Sequence, residues 1–149
     1  MLNDPDFLRI VAGTPLVSID LILRNARDEI LLGRRTNRPA QGLWFVPGGR
    51  IRKGERVPEA LRRIAQREVG LELREAKLLG VFDHLYPDNF AGAPGISTHY
   101  VVLGMAARWP EDVAPVADAQ HEALKWWQED ELLASPDVHE NTKAYFRRT

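Results

Sequence analysis

The chain has 149 residues, 44% of them hydrophobic and 28% charged, with a formal net charge of −1, which suits one globular domain with its own core. That near-neutral balance gives no global field for nucleic acid or an anionic membrane, and the lack of cysteine excludes a disulfide scaffold, a thiolate metal site and a cysteine nucleophile. No apolar run approaches the ~20 residues of a membrane helix and no signal peptide opens the chain, so we expect a single domain over 1–149, cytoplasmic, with no nucleic-acid or membrane partner.

Leu2 and Phe7 belong to a short N-terminal segment. The run "PLVSIDLILRN" alternates from Leu16 to Leu23 and is rich in β-branched residues, so it reads as a strand. "DEILLGRR" follows a turn-like "NARD" and reads as its hairpin partner, with Gly33 ending the apolar run. "RPAQG" is loop, and "LWFV" is a short strand halted by Pro47-Gly48-Gly49. Pro58 to Val69 is a helix, with proline in its first turn and Gly70 placed for the C-terminal cap. "AKLLGVFDHLY" is a strand, with His84 beginning the polar stretch that leads into the loop "PDNFAGAPG". "STHYVVLGMAARW" and "ALKWWQ" are strands, and helical segments follow around Glu129–Ala134 and Glu140–Arg148. There is no repeat, low-complexity segment or linker. Strands on both sides of one well-marked helix predict an α/β fold, a mixed sheet with helices packed against it.

One residue of the marked helix is out of place. Leu61, Ile64, Ala65 and Glu68 follow i, i+3, i+4, i+7 and share a face. Three are apolar; the fourth is a carboxylate in the last turn, where the helix dipole disfavours negative charge. Either Glu68 sits at the edge of the stripe and reaches water or an arginine, or a cation beside the helix end compensates it. The preceding loop bears on the choice. Ile30 to Gly54 holds six basic residues (Arg34, Arg35, Arg38, Arg50, Arg52, Lys53) and no acid. A glycine pair lets backbone approach a ligand closely, and arginine binds phosphate in bidentate geometry. The loop matches neither a Walker motif nor G-x-G-x-x-G.

Gly49, five residues, Glu55, seven residues, Arg63, then Glu68, Gly70 and Leu71 resemble the Nudix box, G-x5-E-x7-R-E-U-x-E-E-x-G-U with U a bulky aliphatic. This chain departs at Ile64, Ala65 and Arg67, so of the carboxylate cluster only Glu68 remains. The variant is similar to that of the GDP-mannose mannosyl hydrolases. "TPLVSIDLIL", "LLGRRTNRPAQGLWFVPGGR", "THYVVLG", "DAQHEALKW" and "NTKAYF" extend the likeness from Phe7 to Phe146. The resemblance implies a Nudix fold, a mixed β-sheet sandwiched between α-helices. It also implies one Mg²⁺ (or Mn²⁺) per subunit, held by a carbonyl of the glycine pair (Gly48 preferred over Gly49), Glu68 and Gln120.

The resemblance further implies His121 as general base; Arg50, Asp20 and Tyr100 as catalytic partners; and Arg35 and His84, with Asp83 and Tyr86 nearby, around the diphosphate and sugar. Phe7 by itself reads as either a core plug or a stacking ring; the resemblance implies stacking on guanine beside Leu2, in a segment that reaches the partner of an exchanged homodimer. Read without the resemblance, Asp20 would face solvent and His139 would be structural. Of the neighbours His99 and Tyr100, which alternation sends to opposite faces, Tyr100 is preferred for the site. Trp126 and Trp127 also point opposite ways, one to the core and the other to an interface. The expected function is Mg²⁺-dependent hydrolysis of GDP-mannose, or GDP-glucose, to GDP and free hexose by attack at the anomeric carbon with inversion. The alternatives are a Nudix pyrophosphatase attacking phosphorus and a binding module with a degraded site.

Overall fold

The computed structural model describes residues 2–116 and 121–147, apart from the side chains of His121 and Glu122. The elements are α1 (Asp4–Gly13), β1 (Leu16–Arg24), β2 (Ile30–Arg35), β3 (Trp44–Phe45), β4 (Gly48–Arg50), α2 (Val57–Val69), β5 (Lys77–Tyr86), β6 (Thr98–Arg108), β7 (His121–Trp127), α3 (Glu129–Ala134) and α4 (Glu140–Lys143). They form one mixed sheet in the order β3-β2-β1-β6-β5, with β4 beside β1 and β7 beside β2. Among the described strands, only the β1–β6 pairing is parallel.

The alternation of β1 sorts its side chains between two cores. Ile19, Leu21 and Leu23 join Leu61, Ile64, Ala65 and Val69 of α2 on one side. Ile22 joins Ile30, Leu32, Leu132 and Phe146 on the other. The sheet is thus packed between α2 and the C-terminal segments, as expected for the fold. Trp126 packs against the first cluster and Trp127 is buried in the second. Trp127 is the core residue of the pair, and Trp126 is partly buried.

The helix α2 ends at Gly70, whose φ of +71° and N–H to the carbonyls of Ala65 and Gln66 make the expected left-handed cap. Three elements differ from the sequence reading. The N-terminal segment is a helix, capped by Asn3, whose side chain accepts from the Asp6 N–H at 2.9 Å. Gly48–Arg50 is a strand rather than a stop: Ser18, Ile19 and Asp20 of β1 pair with Arg50, Gly49 and Gly48. The last helix stops at Lys143.

Along one edge, β1 therefore has two neighbours. β4 takes Ser18–Asp20, and β2 takes the far end, where Arg24 pairs with Ile30. Between them, Leu21 N–H reaches the Pro47 carbonyl at 2.8 Å. The sheet forks at Asp20.

Candidate functional site

The basic loop is tied to α2 by Glu55 and Arg63 of the box. Arg63 Nε and Nη2 donate to both oxygens of Glu55 at 2.7 and 2.9 Å, and Nη2 also donates to the Arg50 carbonyl at 2.7 Å. Glu55 in turn accepts from the Arg52 N–H at 3.0 Å. These bonds, Arg63's foremost, hold the Glu55 carboxyl down at about 2. A carboxyl depressed in the folded state stabilises the fold above its unfolded value, near 4.5, and loses that contribution as pH falls towards 2. Glu55→Gln should accordingly lower stability by about 1–2 kcal/mol at pH 7, with the gap to wild type closing towards pH 2; urea midpoints across pH check this. A gap independent of pH would mean the carboxylate charge is not what matters.

A cavity opens at the fork, lined by Ser18 and Asp20 of β1, Arg35 of β2, Gly48, Gly49 and Arg50 of β4, and His84, Tyr86 and Tyr100 of the strands beyond, with Pro39, Phe45 and Val46 closing it. Eight of the residues singled out from sequence meet here: Asp20, Arg35, Gly48, Gly49, Arg50, His84, Tyr86 and Tyr100. Main chain shapes the wall at Gly48, where any Cβ would collide with Asp20 Oδ1 and the Ile19 carbonyl. Asp20 does not face open solvent. Burial pushes its carboxyl up to about 7, against the opposing pull of the Tyr145 hydrogen bond and of Arg35. Arg35 is held by the loop it faces, with Nε to the Asn37 carbonyl and Nη2 to the Arg38 carbonyl, both at 3.3 Å.

His84 lies within β5, opposite Tyr100, and is only 7% exposed; it does not begin a loop. Burial foremost, then nearby His139, lowers its imidazole to about 4, so it is neutral at pH 7 and a weak base. Asp83, one residue earlier, points away to an exposed pair with His99 Nε2 at 2.9 Å, while Tyr86 joins the cavity wall. His139 has the structural role expected: it caps α4, its Nδ1 accepting from the Asn141 N–H at 3.0 Å, and its ring stacks on Phe45 at 4.7 Å.

Arg50 is exposed at the cavity mouth, its guanidinium carbon 4.1 Å from the centre of the Phe7 ring. That ring also meets Phe90, centroid to centroid at 5.0 Å. A guanidinium stacked by its face keeps its N–H edges for phosphate oxygens. Phe7 does not line the cavity, and Leu2 stands 59% exposed. α1 contacts β6 of its own chain.

Glu68 is 3% exposed, so it does not reach water at the edge of the stripe. α2 lies directly on the glycine strand: a Cβ at Gly49 would approach Ile64 Cγ1 to 3.2 Å, and Glu68 follows one turn along the same buried face. A buried carboxylate at a helix C-terminal end and a strand offering main-chain carbonyls are hard oxygen donors that fit a small divalent cation. Among the described residues no group of three or more His, Cys, Asp or Glu gathers to hold a metal. A cation here would take Glu68 as a carboxylate donor, with carbonyl, amide and phosphate oxygens completing its shell. Gln120 lies outside the described residues. Of His121 the backbone is described, and it pairs with Arg35.

Residues 14–148 match the model of the NUDIX domain family. The chain belongs to the Nudix hydrolase family. It is 40% identical over 123 residues to the low-salt glycan biosynthesis protein Agl8 of Haloferax volcanii, covering 82% of this chain and 76% of that protein. It is also 40% identical over 68 residues to an ADP-ribose pyrophosphatase of Methanocaldococcus jannaschii, but there spans only 46% of this chain and 40% of the relative. The MutT protein of Methanosarcina mazei shares the fold, with a TM-score of 0.73 at 18% identity over 90% of this chain and 92% of that one. The glycine strand and α2 of this Nudix domain are the box seen in the sequence. Phe45, Ser18, Pro39 and Tyr145 belong to or support the site without having been singled out. Phe45 sits in "LWFV" and Ser18 on β1 two residues before Asp20, on its face; that alternation was available as a signal for Ser18.

Proposed function

We propose that the protein hydrolyses GDP-mannose, or GDP-glucose, to GDP and free hexose, with water attacking the anomeric carbon and inverting it. The observation that carries this reading is the pairing of a single buried helix carboxylate, Glu68, with a cavity that presents two arginines. Arg35 and Arg50 neutralise the departing diphosphate, Arg50 with its N–H edges open. A divalent cation, Mg²⁺ or Mn²⁺, held by the Gly48 carbonyl, Glu68 and Gln120, would take up further charge on the leaving group. With the diphosphate made a good leaving group, the electrophile is the anomeric carbon, whose positive charge develops as the bond breaks. His121 takes the proton of the attacking water. Asp20, beside Gly48, and Tyr100 contact the sugar, with His84 as a neutral hydrogen-bonding group. Phe7 and Leu2 lie towards the base end, and their segment is assigned to the contact with a second subunit in a homodimer. The Agl8 likeness supports a sugar-linked substrate. No described helix is long and apolar enough to cross a membrane, which is compatible with the cytoplasmic setting proposed here.

A panel of GDP- and ADP-sugars with Mg²⁺, scored by chromatography, tests the substrate. GDP-mannose should give GDP. Single turnover in ¹⁸O-labelled water should put label in the hexose, and proton NMR should show the β anomer before mutarotation. The second reading, attack on phosphorus, is favoured by the local likeness to an ADP-ribose pyrophosphatase; GMP with hexose 1-phosphate, or label in GDP, would establish it instead.

A further inference from the structure

Asp20 sits in a row of glycines. Across the sheet its neighbours are Gly48 on β4 and Gly104 on β6, and Gly104 faces Gly80 on β5. Such a row leaves room that side chains would otherwise fill. At Gly48 the room lies beside Asp20 Oδ1. At Gly104 it is taken by two rings: a Cβ there would come within 3.0 Å of Tyr145 Cε1 and 3.1 Å of Phe82 Cε1. Those rings meet edge to face, their centroids 4.7 Å apart at 81°, a favourable aromatic geometry.

The phenol so placed donates to Asp20 Oδ2 at 2.7 Å. His84 is near the same oxygen, its Nδ1 at 3.9 Å, beyond hydrogen-bond length. Tyr145 is thus the one side chain recorded as donating to Asp20 among the described residues. It does not line the cavity and packs beside it, on the face of the sheet that holds Ile22. Burial and the neighbouring carboxylate push the Tyr145 hydroxyl well above its ordinary value, so it stays a donor whether or not Asp20 is ionised. A carboxyl on a short side chain with one oxygen fixed has its second oxygen fixed too.

We propose that Tyr145 is the positioning residue for Asp20: its hydroxyl holds Oδ2 on the side of Gly104, where the glycine leaves room for the ring, so that Oδ1 is presented to the cavity beside Gly48. This rests on the reading that Asp20 acts on bound substrate. The C-terminal segment, 125 residues away from Asp20 in the chain, is thereby part of the reacting geometry and not only a cover for the second core.

Tyr145→Phe keeps the ring on Phe82 and removes only the hydroxyl. Steady-state and enzyme-excess kinetics on the nucleotide sugar turned over best, beginning with GDP-mannose, should show kcat down roughly tenfold, KM within about twofold, and an unchanged melting temperature. On an Asp20→Ala background the same substitution should cost nothing further, because the hydroxyl has no acceptor to hold. A kcat for Tyr145→Phe close to wild type overturns the proposal. So does a full tenfold loss that persists without Asp20, which would place the effect of the hydroxyl elsewhere. If Asp20→Ala itself turns over at the wild-type rate, the role of Asp20 in the reaction fails first and takes this inference with it.

Discussion

Replacing Glu68 with glutamine should leave the fold intact and cut turnover at saturating Mg²⁺ by on the order of 10²-fold or more, the scale of losing a charge-stabilising group in a transition state. The side chain is 3% exposed on the packed face of α2. Glutamine has almost the same shape, so the buried face of α2 should survive. Taking a negative charge away from a helix C-terminal end is, if anything, stabilising in the absence of metal. The two measurements therefore move apart: a melting temperature equal to or above that of wild type, with catalysis severely reduced. Isothermal titration should show weakened Mg²⁺ binding in parallel. Wild-type turnover in Glu68→Gln would detach the residue from the chemistry and leave its burial a matter of packing.

His121→Phe should lower kcat by ~10²–10⁴-fold, the range for loss of a general base, with Mg²⁺ affinity nearly unchanged. The rate profile should also lose its ascending limb near neutral pH, where an imidazole of ordinary pKa, ~6.5, gains its basic form. The reason to expect one base is the state of the other histidines. His84 is held near 4 by burial, and His139 is spent on capping α4. His99 is held by Asp83 in an exposed pair, and the backbone of His121, at the start of β7, pairs with Arg35, which lines the cavity. A variant that keeps both rate and limb would move the base to another group, and the low value of His84 makes that residue a poor substitute.

What the sequence made legible was whatever rests on local periodicity. The face Leu61–Ile64–Ala65–Glu68 is a matter of helical geometry, and all four residues are buried. Asp20 interrupts an apolar alternation, and the interruption marks the fork. Gly70 ends its helix as only a left-handed residue does. The readings that failed depended on distant partners. Gly48–Arg50 has no strand propensity; it is a strand because β1 offers it hydrogen bonds. His84 falls inside the strand read from sequence, but its polar neighbours Asp83 and Tyr86 suggested the start of a loop, whereas β5 stays paired with β6 as far as Tyr86. α1 carries its signals, Asn3 as cap and proline in the first turn, but with the hydrophobic residues of only three turns they were weak beside the aromatic of Phe7. Nothing near Tyr145 in sequence announces an acceptor on β1.

The first helix has a further consequence. Its one buried side chain, Val11, belongs to neither of the two core clusters, so the domain owes this segment little of its cohesion. Yet the same helix carries the ring on which Arg50 rests. Damage to residues 2–13 would therefore be silent in a melting curve and audible in a rate.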